Sequence, residues 1–255
     1  MLKKIANTLL VCTALFGANA NANLIQVDLE LQLLADVSGS VDSSEYALQL
    51  QGYSNSFRDA SVIAAIEAGT IGSIAVQYLE WGSSNQQQVQ LDWTLIDSAA
   101  SANAFADALD ALVRAFNGST AIGSAINFGA DLFFNNQYDA VRQVMDVSGD
   151  GQQNNGANTA TARNAALALG VDTINGITIG NESGLQSYYQ NNVIGGDNAF
   201  HIHADTFADF TAGIQQKLVR EITGGGGATV PEPSSIALFG LAILGLASAN
   251  RKKAK

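Results

Sequence analysis

Leu29-Glu30-Leu31-Gln32-Leu33-Leu34-Ala35-Asp36-Val37-Ser38-Gly39-Ser40-Val41-Asp42-Ser43-Ser44-Glu45 is the stretch on which the reading of this chain turns. Residues 29–35 form a nearly continuous apolar run, which suits a buried strand. Asp42 with Glu45 three positions on makes a capping box, so a helix starts there. Tyr46, Leu50, Tyr53 and Phe57 then follow at helical steps and mark one apolar face. Between strand and helix lies a short loop crowded with oxygen-bearing side chains.

The same alternation continues outward. Residues 73–81 and 89–96 read as strands joined by a polar turn, a hairpin that supplies one antiparallel edge strand. Residues 99–116 and 120–134 read as helices, the second entered through Asn117-Gly118-Ser119. Residues 142–147 form a strand that ends in Ser148-Gly149-Asp150-Gly151. A helix over 159–169 is stopped by Gly170. A strand over 171–179, a short helix over 184–193 and a short strand over 199–203 come next. Phe207, Phe210, Ile214, Leu218 and Ile222 mark a last amphipathic helix. The pattern predicts an α/β, Rossmann-like doubly wound fold. Its sheet is mostly parallel with one antiparallel edge strand, and helices cover both faces.

The 255 residues are 47% hydrophobic and 14% charged, enough apolar material for one substantial core. Formal net charge is -11. Lys3 and Lys4 lie at one end, and Arg251, Lys252, Lys253 and Lys255 at the other. The body carries only Arg58, Arg114, Arg142, Arg163, Lys217 and Arg220, scattered, so nucleic-acid binding is not expected. Residues 1–22 read as a secretory signal: a basic start, an apolar stretch over 5–16, and Ala18-Asn19-Ala20 or Ala20-Asn21-Ala22 as cleavage sites. Cys12, the one cysteine, lies inside that signal, so the mature chain has no disulfide. The folded domain is expected over 24–223 and a Gly-rich linker over 224–230. In the final segment, 231–255, Pro231-Glu232-Pro233 precedes a charge-free run to Asn250 and a basic end. As a helix, that run is roughly 27 Å long and just crosses a bilayer core, its basic end cytoplasmic.

In a doubly wound sheet, ligand sites form in loops at the carboxyl ends of strands. Asp36, Ser38 and Ser40 occupy one such loop, Thr120 opens a helix, and Asp150 ends a strand. Three loops can therefore meet in one crevice. A hard divalent cation takes oxygen ligands. The hydroxyls of Ser38, Ser40 and Thr120 suit direct coordination, with Asp36 and Asp150 holding the ion directly or through water. Mg²⁺ suits this site best, Mn²⁺ is close and Ca²⁺ is the third candidate.

Asp36-x-Ser38-x-Ser40, Thr120 and Asp150-Gly151 resemble the metal-ion-dependent adhesion site of von Willebrand factor A domains. Wider wording over about 24–223 resembles a bacterial branch of that superfamily of unknown function. It includes Gln51-Gly52-Tyr53-Ser54-Asn55-Ser56-Phe57-Arg58, Gly118-Ser119-Thr120-Ala121-Ile122-Gly123 and Thr173-Ile174-Asn175-Gly176. The resemblance implies the same sheet and, in many members, metal-dependent protein binding. Pro231, Glu232 and Pro233 with the apolar run and basic end resemble the PEP-CTERM sorting signal of exosortase substrates. That implies an exosortase-type processing enzyme as partner and contact with the membrane only through this segment. Delivery to the cell surface or extracellular matrix would follow.

Other readings stand beside these. Thr120 or Ser119 can simply cap a helix, and Asp150-Gly151 is a common turn pair. Asp146-Val147-Ser148-Gly149-Asp150-Gly151 mimics the start of an EF-hand loop, but position twelve is Ala157 and a strand precedes it. His201 and His203 share a strand face and favour a structural role over zinc. The chain has no Gly-x-Ser-x-Gly and no mature cysteine, so covalent catalysis has little footing. The expected function is an exported, metal-dependent adhesion module. The ion would complete its coordination with an acidic protein side chain or an acidic polysaccharide. The alternatives are a metal-assisted hydrolase and a structural matrix protein with a vestigial site.

Overall fold

The computed structural model describes residues 24–224. The central sheet contains β2 (Leu29–Asp36), β3 (Ile74–Trp81), β4 (Gln87–Ile96), β6 (Gln143–Gly149) and β7 (Thr173–Ile179). The short β8 (Gly195–Gly196) and β9 (His201–Ala204) both pair with the outer side of β7. Strand order is β4-β3-β2-β6-β7, then β8 and β9. β2, β3, β6, β7 and β9 run parallel, while β4 and the two-residue β8 are antiparallel. A separate parallel pair joins β1 (Ile25–Val27) to β5 (Tyr138–Ala140), which the sequence pattern does not announce.

Helices α1 (Ser43–Arg58), α2 (Ala60–Glu67), α3 (Ala99–Asp110) and α7 (Phe210–Ile222) cover one face. Helices α4 (Ile122–Ala130), α5 (Thr159–Leu169) and α6 (Leu185–Tyr188) cover the other. The doubly wound expectation therefore holds. The capping box is present: Asp42 accepts from the Ser44 and Glu45 amides, and Glu45 accepts from the Asp42 amide. Tyr46, Leu50, Tyr53 and Phe57 are all buried, and Tyr53 meets Tyr78 and Phe210 edge to face.

β2 alternates Leu with Glu30 and Gln32, yet all eight residues are buried. Coverage on both faces explains this, because a central parallel strand has no wet side. Gln32 Nε2 donates to Gln77 Oε1 and to the Gly129 carbonyl, and Gln143 Nε2 donates to Glu30.

Two expected helices are shorter than their periodicity suggests. The helix expected over 99–116 ends at Asp110. Beyond it, the Ala115 amide donates to the buried Glu80 carboxylate, and Arg114 bonds the carbonyls of Val37, Ser38 and Phe116. These tertiary bonds replace helical ones. The helix expected over 120–134 runs from Ile122 to Ala130, followed by a tighter turn over Asp131–Phe134. Its start is displaced because the Thr120 carbonyl accepts from the Asn154 and Asn155 amides. The helix expected over 184–193 is α6 followed by a wider turn over Tyr189–Val193, closed by the Ile194 amide on the Tyr189 carbonyl.

α7 ends against the start of β6. Arg142 Nη2 donates to the carbonyls of Glu221 and Ile222, satisfying the helix's open end. In mid-sheet a charged cluster is fully enclosed. Lys217 Nζ bonds Glu221 Oε1 and forms a salt bridge with Asp146 Oδ1 at 2.7 Å. Asn175 Nδ2 donates to Glu221 Oε1 at 2.8 Å. Asp146, read from sequence as a mimic of an EF-hand start, is therefore committed to α7.

Candidate metal centre

The chain leaves β2 toward β3 on one side and returns as β6 on the other, so β2 and β6 flank the point where strand order reverses. Ala35 pairs with Ser148, which brings Asp36 and Asp150 to the same end of that crevice. The loop after β4 and α3 crosses above them and delivers Thr120. Cross-links hold the three loops together. The Gly39 amide donates to the Gly118 carbonyl, the Thr120 amide to Asn154 Oδ1, and Arg114 clamps two carbonyls of the first loop.

All five sequence-nominated residues meet. Ser38 Oγ lies 3.2 Å from Ser40 Oγ and 3.4 Å from Thr120 Oγ1. Ser40 Oγ donates to Asp150 Oδ1 at 2.7 Å. Asp36 Oδ1 accepts the Ser38 amide at 2.7 Å, while its buried Oδ2 has no partner among the described residues. Thr120 does not cap α4: the cap position is Ala121, with no side-chain bond.

The electrostatics are those of an under-neutralised anion pair. Burial, then the Asp150 charge, pushes the Asp36 carboxyl up to about 8. Asp150 is also raised, by burial first and then by the charges of Glu45 and Glu182, with its Ser40 bond opposing. Arg114 is the nearby cation, but its guanidinium is occupied by backbone carbonyls. An orphaned, buried carboxylate oxygen and three convergent hydroxyls make a donor set that fits a hard divalent cation. Among the described residues, no group of three or more His, Cys, Asp or Glu side chains is placed to cage a metal, so hydroxyls must supply much of any shell here.

The remaining polar residues have structural tasks. Asn154 backs Thr120, Asn155 Oδ1 accepts the Ser84 amide, and Gln153 Oε1 accepts from Gly123 and Thr159. Gln152 donates to the exposed Glu182. His201 and His203 both bond Thr178 Oγ1, and His203 also faces Asp205 at 3.3 Å. Burial pushes His201 down to about 4, in keeping with a neutral structural ring. Sequence reasoning overlooked Arg114 as loop clamp and Tyr189, whose hydroxyl approaches Gly149. The signal for Tyr189 was the glycine in each of two buried strands, Gly149 and Gly176, since strand glycines mark close approach by a bulky neighbour.

The family described as "Protein of unknown function (DUF1194)" matches residues 26–226, and the PEP-CTERM protein-sorting motif matches 229–252. The sorting residues Pro231, Glu232 and Pro233, like the expected signal over 1–22, lie outside the described residues. No curated protein matches the chain. Among solved structures, the fold is similar to proximal thread matrix protein 1 from the mussel byssus, with a zinc-occupied MIDAS motif. TM-score is 0.57 and identity 14%, over 78% of this chain and 49% of that one. It is also similar to the pilus adhesin SpaC of Lactobacillus rhamnosus GG, with TM-score 0.54 and 15% identity over 80% of this chain and 32% of that one. A von Willebrand factor type A structure from Catenulispora acidiphila gives TM-score 0.54 and 15% identity, over 77% and 43%. The chain thus spans about half the length, or less, of these proteins. The shared feature is the von Willebrand factor A-like fold.

Proposed function

The chain belongs to the DUF1194 family, and on that premise we propose that it is an exported, metal-dependent binding module of the cell surface or extracellular matrix. One observation carries the reading. Ser38, Ser40 and Thr120 hydroxyls converge beside Asp36 and Asp150, and Asp36 Oδ2 is buried without a partner among the described residues. Ser38, Ser40 and Thr120 would hold a divalent ion through their hydroxyls, and Asp36 and Asp150 directly or through water. The ion would act as an electrophile for an acidic group of a protein or polysaccharide partner. The mussel protein of similar fold has a zinc-occupied MIDAS motif. An all-oxygen donor set favours Mg²⁺ or Mn²⁺ in this chain, ahead of Ca²⁺. The matrix and adhesin neighbours support binding rather than catalysis, and the sorting motif supports export and handling by an exosortase-type enzyme. The organisation that follows is a signal over 1–22, the binding domain over 24–223, a linker over 224–230 and a sorting segment over 231–255.

Titration calorimetry with Mg²⁺, Mn²⁺, Ca²⁺ and Zn²⁺ tests the reading. Wild type is expected to bind at one site, and Asp36→Ala to lose both that binding and metal-dependent attachment to cell-surface fractions. Equal metal affinity in the two proteins overturns it.

The rim sets a condition on the partner. Glu45 is half-buried and Glu182 exposed; both act on Asp150 and have no cationic partner among the described residues. An approaching acid meets their repulsion before it reaches the ion. Neutralising both as Glu45→Gln and Glu182→Gln is expected to raise the association rate with a soluble polyuronate about three- to tenfold at low salt, fading at high salt. Gln at position 45 retains the capping geometry. Stopped-flow rates that do not change would show that the rim has no part in steering.

A further inference from the structure

Tyr189 is fully buried, and the fold makes room for it at two strand positions. A Cβ on Gly176 would lie 2.7 Å from its ring, and a Cβ on Gly149 would lie 2.5 Å from its hydroxyl. Gly176 sits inside the buried strand β7, where glycine is otherwise disfavoured, and Gly149 is the last residue of β6. The same Cβ on Gly149 would lie 3.0 Å from Asp36 Oδ2. The phenol oxygen and Asp36 Oδ2 thus flank one small space, and both are buried atoms without a hydrogen-bond partner among the described residues. Two buried polar atoms left unsatisfied beside one space are costly, and buried polar groups almost always find a partner or an ordered water. The wide turn over Tyr189–Val193 is what delivers the ring to this place.

We infer that Tyr189 is a positioning residue of the metal centre, its phenol O–H donating to Oδ2 of Asp36 directly or through one water. A phenol keeps its proton at neutral pH and can donate it to a carboxylate oxygen. A donor at Oδ2 fixes the carboxylate plane while Oδ1 is held by the Ser38 amide. The inference rests on the metal-centre reading for its functional meaning, but the hydrogen bond itself belongs to the metal-free protein.

The test uses the whole chain purified in detergent, as wild type, Tyr189→Phe and the control Tyr188→Phe. Tyr188 has its hydroxyl on Thr159, away from Asp36. Phe keeps the ring and its packing, so a purely space-filling role predicts no effect at either position. Mn²⁺ affinity is expected to fall about 10- to 100-fold in Tyr189→Phe and to stay unchanged in Tyr188→Phe. In chelator above pH 8, where Asp36 is ionised, a phenol bonded to its carboxylate absorbs at longer wavelength. Asp36→Ala should therefore move the tyrosine band to shorter wavelength in wild type and leave it unmoved in the Tyr189→Phe background. Wild-type affinity in Tyr189→Phe, or the same band shift in both backgrounds, overturns the inference. Should wild type bind no divalent ion, the metal reading fails, and the band shift in chelator still decides whether Tyr189 bonds Asp36.

Discussion

In the absence of divalent metal, the protein is expected to lose stability steadily as pH rises from about 4 to about 8, and to regain it when Mg²⁺ is added. The cause is the Asp36 carboxyl, pushed by burial and by Asp150 from 3.8 to about 8. Its folded-state pKa lies above the unfolded value, so between these limits the folded chain holds a proton that the unfolded chain has released. Stability is then full below the unfolded value and declines as pH climbs toward the folded one. Each pKa unit corresponds to about 1.4 kcal/mol, so the whole window is worth on the order of 5 kcal/mol. Asp150, also raised, adds to the same slope. A divalent ion takes the proton's place, so its affinity should climb with pH and its binding should release protons. Urea midpoints in chelator across that pH range, for wild type and Asp36→Asn, measure the effect. The variant should flatten much of the slope, and equal slopes would remove Asp36 as its source.

Lys217→Met is expected to destabilise the domain by about 3–5 kcal/mol, because it strands two buried carboxyls. Asp146 and Glu221 are both raised by burial and both held down by Lys217, which also lies 5.6 Å from the Phe200 ring. Without the ammonium group they persist only as neutral acids, so the loss should grow as pH rises. For a domain of this size, the drop in Tm is about 10–15 °C. Adding Asp146→Asn and Glu221→Gln to Lys217→Met removes the unpaired charges and should recover most of the loss, since a buried ion triad is often no better than a neutral one. Denaturant unfolding at neutral pH checks both proteins. A single variant within 1 kcal/mol of wild type would mean that the cluster is not a charge-compensated unit (about that much is the usual scatter of benign substitutions).

What could be read from the sequence was whatever depends on local rules. The strand at Leu29–Asp36, the Asp42 capping box and the apolar face of α1 follow from periodicity and cap chemistry. That the five nominated residues would meet was legible because their loops follow strand ends or lead to helices, and doubly wound sheets gather those loops. Helix ends were less legible. Arg114 and Thr120 lie in helical-looking text, but their bonds run to loops 76 and 34 positions away, and those bonds take precedence over propensity. Lys217 and Glu221 fall in helical step with Phe210 and Ile214, on the apolar face of α7. Nothing local in α7 reveals that Asp146, on β6, waits opposite them. Tyr189 was hidden too, because Gly149 and Gly176, on β6 and β7, announce a bulky neighbour without naming it.

The clamp of Arg142 on the last carbonyls of α7 has a consequence for display. It pins the exit of the domain, at Gly224, beside the amino-terminal edge of the sheet, where β2 and β6 also begin. The oxygen-lined crevice opens at the opposite edge, the length of an eight-residue strand away, about 26 Å. A domain held from its carboxyl end would therefore point its binding mouth outward, like a cup set down on its base, with no reorientation required before it meets a passing ligand.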